Sequence, residues 1–131
     1  MNAFIISAPN KPGELAKISE LIALKGINIT SISTIGWQGG GGIALITNDE
    51  SGTRSALAGV GQVTELEIIP VILEDHPGTL AAASQKLADA GINIELLLPI
   101  AMREGKVSIA IATNNNAKAR ELLGTGALAT A

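Results

Sequence analysis

Pro12-Gly13-Glu14-Leu15-Ala16 in the first half of the sequence returns as Pro77-Gly78-Thr79-Leu80-Ala81 in the second. Downstream, Gly26-Ile27-Asn28-Ile29 returns as Gly91-Ile92-Asn93-Ile94, and both motifs recur 65 positions on. The same offset joins Ser19 to Ser84, Ala23 to Ala88, Ile35 to Ile100, Ile46 to Ile111, Leu57 to Leu122, Gly59 to Gly124 and Gly61 to Gly126. A constant offset over most of a 131-residue chain reads as one structural unit present twice, at 1–66 and 67–131. The period is too long for a solenoid and suits a duplicated small domain.

Within the first copy, Ala3 to Ile6 is a short apolar run that reads as a strand, followed by a loop marked by Pro9, Pro12 and Gly13. From Glu14 to Lys25 the apolar residues Leu15, Ile18, Leu21 and Ile22 fall at helical spacing, and Gly26 supplies the stop. Ile27 to Trp37 is rich in β-branched residues, and Ile43 to Thr47 reads as its hairpin partner across the tetraglycine 39–42. Asn48 to Ser51 offers helix caps, and Val63 to Leu66 closes the unit as a fourth strand. The second copy repeats the order, its last strand expected at 127–131. The order βαββαβ, twice, predicts an α+β chain of two ferredoxin-like units, each an antiparallel sheet with helices on one face.

Composition narrows the function. With 47% apolar residues the chain can bury a core, and the absence of cysteine excludes a disulfide framework or a thiolate metal site. No 18-residue apolar run and no signal-like start occur, so the expectation is a cytoplasmic protein without a membrane span. Net charge is −3, the Lys and Arg are scattered, and only Phe4 and Trp37 are aromatic, which argues against nucleic acid. Runs such as Ile68 to Leu73 and Leu96 to Ile100 are apolar on both strand faces and require cover on both. A homodimer or larger homo-oligomer is expected on that ground.

No catalytic constellation is visible. His76 is the one histidine, no nucleophile–base pair accompanies it, and the tetraglycine is not followed by Lys-Ser/Thr, so enzymatic activity, a metal and a cofactor are all expected to be absent. The candidate binding residues are polar and turn-forming. Asn10, Pro12 and Gly13, with Asp75, Pro77 and Gly78 in the second copy, stand where a strand hands over to a helix N-terminus, whose N–H groups suit a carboxylate. The plainer account is a turn in which Pro and Gly set the path. Asn28 and Asn93 follow the helix stop, where Asn commonly bonds its own backbone; their amides also offer the donor and acceptor that an amino acid zwitterion needs. The loop and the Asn of one copy belong at opposite ends of the second strand. A ligand meeting both is therefore expected between two domains.

A strand, x-x-Pro-Gly-x-Leu, an amphipathic helix and Gly-Ile-Asn-Ile, in that order and twice, resembles the ACT domain family. The resemblance implies βαββαβ modules that associate with one another, bind amino acids at their interfaces and regulate enzymes or transcription rather than perform chemistry. Serine-sensing members of the family place an Asn two residues before Pro-Gly and another in the Gly-Ile-Asn turn. Asn10 and Asn28 match both, whereas the second copy offers Asp75 and Asn93. Those members also carry a His two residues before the first Asn, where this sequence has Ala8 and Leu73. The resemblance therefore implies a free-standing tandem amino acid sensor acting by allosteric regulation. The other class compatible with the residues is a ligand-free regulatory subunit or interaction module.

Overall fold

The computed structural model describes residues 1–124. The chain divides into two compact units, Met1–Leu66 and Glu67–Ala131. The first runs β1 (Asn2–Ser7), α1 (Glu14–Ala23), β2 (Ile29–Trp37), β3 (Gly40–Thr47), α2 (Glu50–Ala56) and β4 (Val63–Glu67). Its sheet has the order β2-β3-β1-β4, with β3 antiparallel to both β1 and β2. The second runs β5 (Ile69–Glu74), α3 (Thr79–Asp89), β6 (Ile94–Arg103), β7 (Lys106–Thr113) and α4 (Asn116–Leu123), with the sheet order β5-β7-β6. The strand expected at 127–131 lies outside the described residues.

Register explains why each unit has one core. Phe4 pairs with Leu45 and Ile6 with Ile43, so four large side chains leave the sheet on one side. Ile18 and Ile22, four apart on α1, and Leu57 after α2 close over them. The second unit repeats the arrangement with Val71 opposite Ile109 and Ile69 opposite Ile111, covered by Leu87 and Ala119. Both hairpins turn on two residues of positive φ, Gln38-Gly39 and Glu104-Gly105, whose twist matches that of the flanking strands. The sequence places all of the 39–42 tetraglycine in the turn; the structure keeps only Gly39 there, while Gly40, Gly41 and Gly42 open strand β3.

The constant 65-residue offset does not survive the structure. It holds from the first strand through Ile29 and Ile94, and both copies carry a bulge at the next residue. A second bulge, between Pro99 and Ala101, occurs in β6 alone. Ile100 is the extra residue, and beyond it equivalent positions lie 66 apart. Gln38 corresponds to Glu104, and the helix cap Asp49 to Asn115. Thr53 and Ala119, both fully buried, correspond as well. Ile35 and Ile100, or Ile46 and Ile111, are therefore matched in sequence but not in place.

One polar cluster ties the edge of the first unit together. Glu65 on β4 takes a two-pronged bond from the Arg54 guanidinium of α2 and a 3.0 Å bond from Asn2 Nδ2, while Asn2 N–H donates to the Glu50 carboxylate. The Arg54 and Asn2 bonds hold the Glu65 carboxyl down to about 2, and the same pairing raises Arg54.

Candidate functional site

The β1–α1 loop is built by its own backbone and by the neighbouring hairpin. Gly13 sits at φ 92 and Gly78 at φ 93, a left-handed conformation that Gly adopts without strain, and each gives its carbonyl to the first bond of the helix. Ala8 N–H donates to the Gly41 carbonyl at 3.2 Å and Asn10 N–H to the Gly39 carbonyl at 3.1 Å, so the loop is pinned against the β2–β3 hairpin. Asp75 N–H makes the equivalent bond to the Gly105 carbonyl at 2.8 Å. Neither α1 nor α3 has a side-chain cap. Their first-turn N–H groups therefore have no capping side chain as acceptor.

In the first unit this loop and hairpin enclose a half-open pocket of about 100 Å³. Asn10, Lys11 and Glu14 line one wall, and Thr34, Gly36 and Gly41 the other. Glu14 is the charged group held closest to the protein, its side chain 13% exposed, with Lys11 Nζ at 3.6 Å and Lys17 Nζ at 3.3 Å. Glycine on the hairpin wall lets the loop pack against it closely. A Cβ on Gly36 would stand 2.7 Å from Asn10 Nδ2, and one on Gly41 would collide with the Ile35 carbonyl oxygen. Asn10 was legible as a candidate from the loop motif; Lys11, Glu14, Thr34 and Gly36 were not. The signal that could have found Gly36 and Gly41 is their pairing across the ladder, visible only once the hairpin register is known.

Asn28 and Asn93 lie elsewhere. Asn28 precedes the first residue of β2, whereas Asn10 lies over Gly36 near its last, a separation of roughly 25 Å at about 3.3 Å per residue. The structure thus brings Asn10 and Gly13 together and separates them from Asn28. It does the same with Asp75 and Gly78 against Asn93. Main chain, not side chain, is what is held at the Asn28 end. Its N–H donates to Asn48 Oδ1 and its carbonyl accepts from Asn48 N–H, both at 3.1 Å. Asn93 is held alike by Asn114, at 3.0 and 3.2 Å. The Asn28 and Asn93 amides are exposed and make no hydrogen bond among the described residues.

His76 is exposed, its Nδ1 3.2 Å from the Pro77 carbonyl. Among the described residues no group of three or more acidic or histidine side chains is placed to hold a metal, and no helix is long and apolar enough to cross a membrane.

The ACT domain family model matches residues 3–56, which lie in the first unit. The second unit is not matched by it. No curated protein matches the sequence. Among solved structures, the chain is similar to a Bacteroides thetaiotaomicron protein at 23% identity, covering 92% of this chain and 84% of that one with a TM-score of 0.77. It is also similar to the regulatory subunit of aspartate kinase from Thermus thermophilus, in its ligand-free form, at 22% identity, 92% and 88% coverage and a TM-score of 0.66. The regulatory subunit of aspartate kinase from Thermus flavus is 26% identical over 90% of this chain and 86% of that one, with a TM-score of 0.64. The ferredoxin-like fold is thus shared with the regulatory subunit of aspartate kinase from Thermus flavus.

Proposed function

We propose that this chain is a cytoplasmic, non-catalytic sensor of a free amino acid, built from two ACT domains and acting by allosteric regulation of a partner. The observation that carries the reading is the pocket at the β1–α1 loop of the first unit. A neutral amide, an ammonium and a carboxylate, on Asn10, Lys11 and Glu14, line it together with Gly36 and Gly41. Such a set complements both charges of a zwitterion. The likeness to a regulatory subunit of aspartate kinase supports a partner enzyme as the thing regulated.

The pocket is open on one side, and a second copy of the chain would close it, bringing its own Asn28 or Asn93 amide. Strand β2, at the edge of its sheet, favours such a homodimer. From Ile29 to Trp37 it carries no charged residue, and Ile35 and Trp37, on one face, are 68% and 71% exposed. An edge strand without charge or proline is open to pairing with another chain. The same feature also suits the alternative reading, an interaction module that modulates its partner with no ligand of its own.

A thermal-shift screen of the twenty amino acids separates the two. A ligand at about 100 times its Kd adds roughly 2.7 kcal/mol to the folded state. A rise in Tm with at least one amino acid is expected. A flat screen leaves the interaction module as the reading.

A further inference from the structure

Glycines at three positions in the first unit are replaced by side chains in the second. Counted across the Ile100 insertion, Gly36 corresponds to Met102, Gly41 to Val107 and Gly42 to Ser108. Asn10 lies where a Cβ on residue 36 would be, so a residue with any side chain there excludes that placement. The polar set differs as well. Lys11 corresponds to His76 and Glu14 to Thr79. The Thr79 hydroxyl is used within its own turn, donating to the Glu74 carbonyl at 2.7 Å and the His76 carbonyl at 3.1 Å.

From this we infer that only the first unit takes a ligand, and that Glu14 and Lys11 read its charged head group. This rests on the amino acid sensor reading and adds the stoichiometry and the recognising residues. Lys11 and Glu14 already face each other at 3.6 Å, an exposed i,i+3 pair that gives little stability and is easily opened. A zwitterion inserted between them offers its ammonium to Glu14 and its carboxylate to Lys11, so neither charge loses its partner. Lys17, 3.3 Å from the other Glu14 oxygen, keeps that carboxylate oriented meanwhile. A cavity of about 150 Å³ admits benzene, so one of about 100 Å³ holds on the order of four or five non-hydrogen atoms, an amino acid head group without its side chain. The side chain then projects through the mouth toward the second copy that closes it. The second unit remains as scaffold.

Glycine, the bare head group, is the direct probe. Calorimetric titration of the full chain is expected to give one equivalent per chain. N-acetylglycine, lacking the ammonium, and glycinamide, lacking the carboxylate, are each expected to bind at least about tenfold more weakly, the scale of one charged hydrogen bond. Glu14→Gln is expected to weaken glycine by a similar factor and to erase its preference over N-acetylglycine, which a merely structural role would not do. Gly36→Ala, at a strand position of ordinary φ, is expected to keep the fold and lose binding, while Asp75→Asn changes neither. Two equivalents per chain, or glycine affinity unchanged in Glu14→Gln and Gly36→Ala, overturns the inference and leaves the sensor reading standing. So does a screen in which other amino acids bind but glycine does not. Failure of all twenty amino acids overturns the sensor reading, and this inference with it.

Discussion

Two asparagines separated by twenty residues divide their labour in a way that can be measured. Asn48 supplies both a side-chain acceptor and a main-chain donor to Asn28, whose own amide bonds nothing among the described residues. Asn48→Ala is expected to cost about 1 kcal/mol in urea melts, the worth of one hydrogen bond, while Asn28→Ala stays within about 0.5 kcal/mol. The reverse order would mean that the Asn28 side chain carries the turn. Glu65 gives a pH signature. Its folded value, about 2, lies below the ordinary carboxylate value of 4.5, so the pairing with Arg54 and Asn2 stabilises the fold fully above about 4.5. That contribution fades as pH falls from there through about 2. Glu65→Gln is expected to flatten this part of the acid dependence, seen as melts that differ from wild type at pH 7 and converge near pH 2. A constant difference at all pH values would show that the charge is not what stabilises.

At the level of elements, β6 holds the feature that sequence could least disclose. The strands, helices and caps were legible because each rests on local chemistry: Ile18 and Ile22 at helical spacing, Asp49 and Asn115 before their helices, Gly26 and Gly91 after theirs. The Ile100 bulge was not. Ile35 and Ile100 are the same residue type at the expected offset, so identity hid the insertion, and only the ladder with β7 reveals it. The Asn10 loop was legible by motif, but its pocket depends on Gly36 opposite Gly41, a relation between strands. Deleting Ile100 should restore an unbroken alternation and leave every later side chain on its present face. We expect a cooperative melt lowered by on the order of 1–2 kcal/mol. Deleting Leu97 instead shifts the following residues to the wrong face before the bulge can absorb the change, and should abolish the cooperative transition of the second unit. Equal outcomes for the two deletions would contradict the register.

For the whole molecule, the proposed self-association would run through the uncharged edge of β2. Trp37 is the single tryptophan and stands at the exposed end of that strand, so it would both contribute to the proposed homodimer and report on it. Trp37→Ser is expected to weaken self-association at least about tenfold in sedimentation without lowering Tm, and wild-type emission should shift to the blue as concentration rises. An unchanged sedimentation profile would remove β2 from the interface. The ladder irregularities bear on history as well as on packing. If the two units descend from one ancestor, the bulge just after Ile29 and that just after Ile94 are common property and predate the event that doubled the gene. The difference at Ile100 then followed that event, as a residue gained by one copy or lost by the other. On that descent the chain would preserve a relative chronology: first a kinked strand, then the doubling, then a change of length in one copy alone.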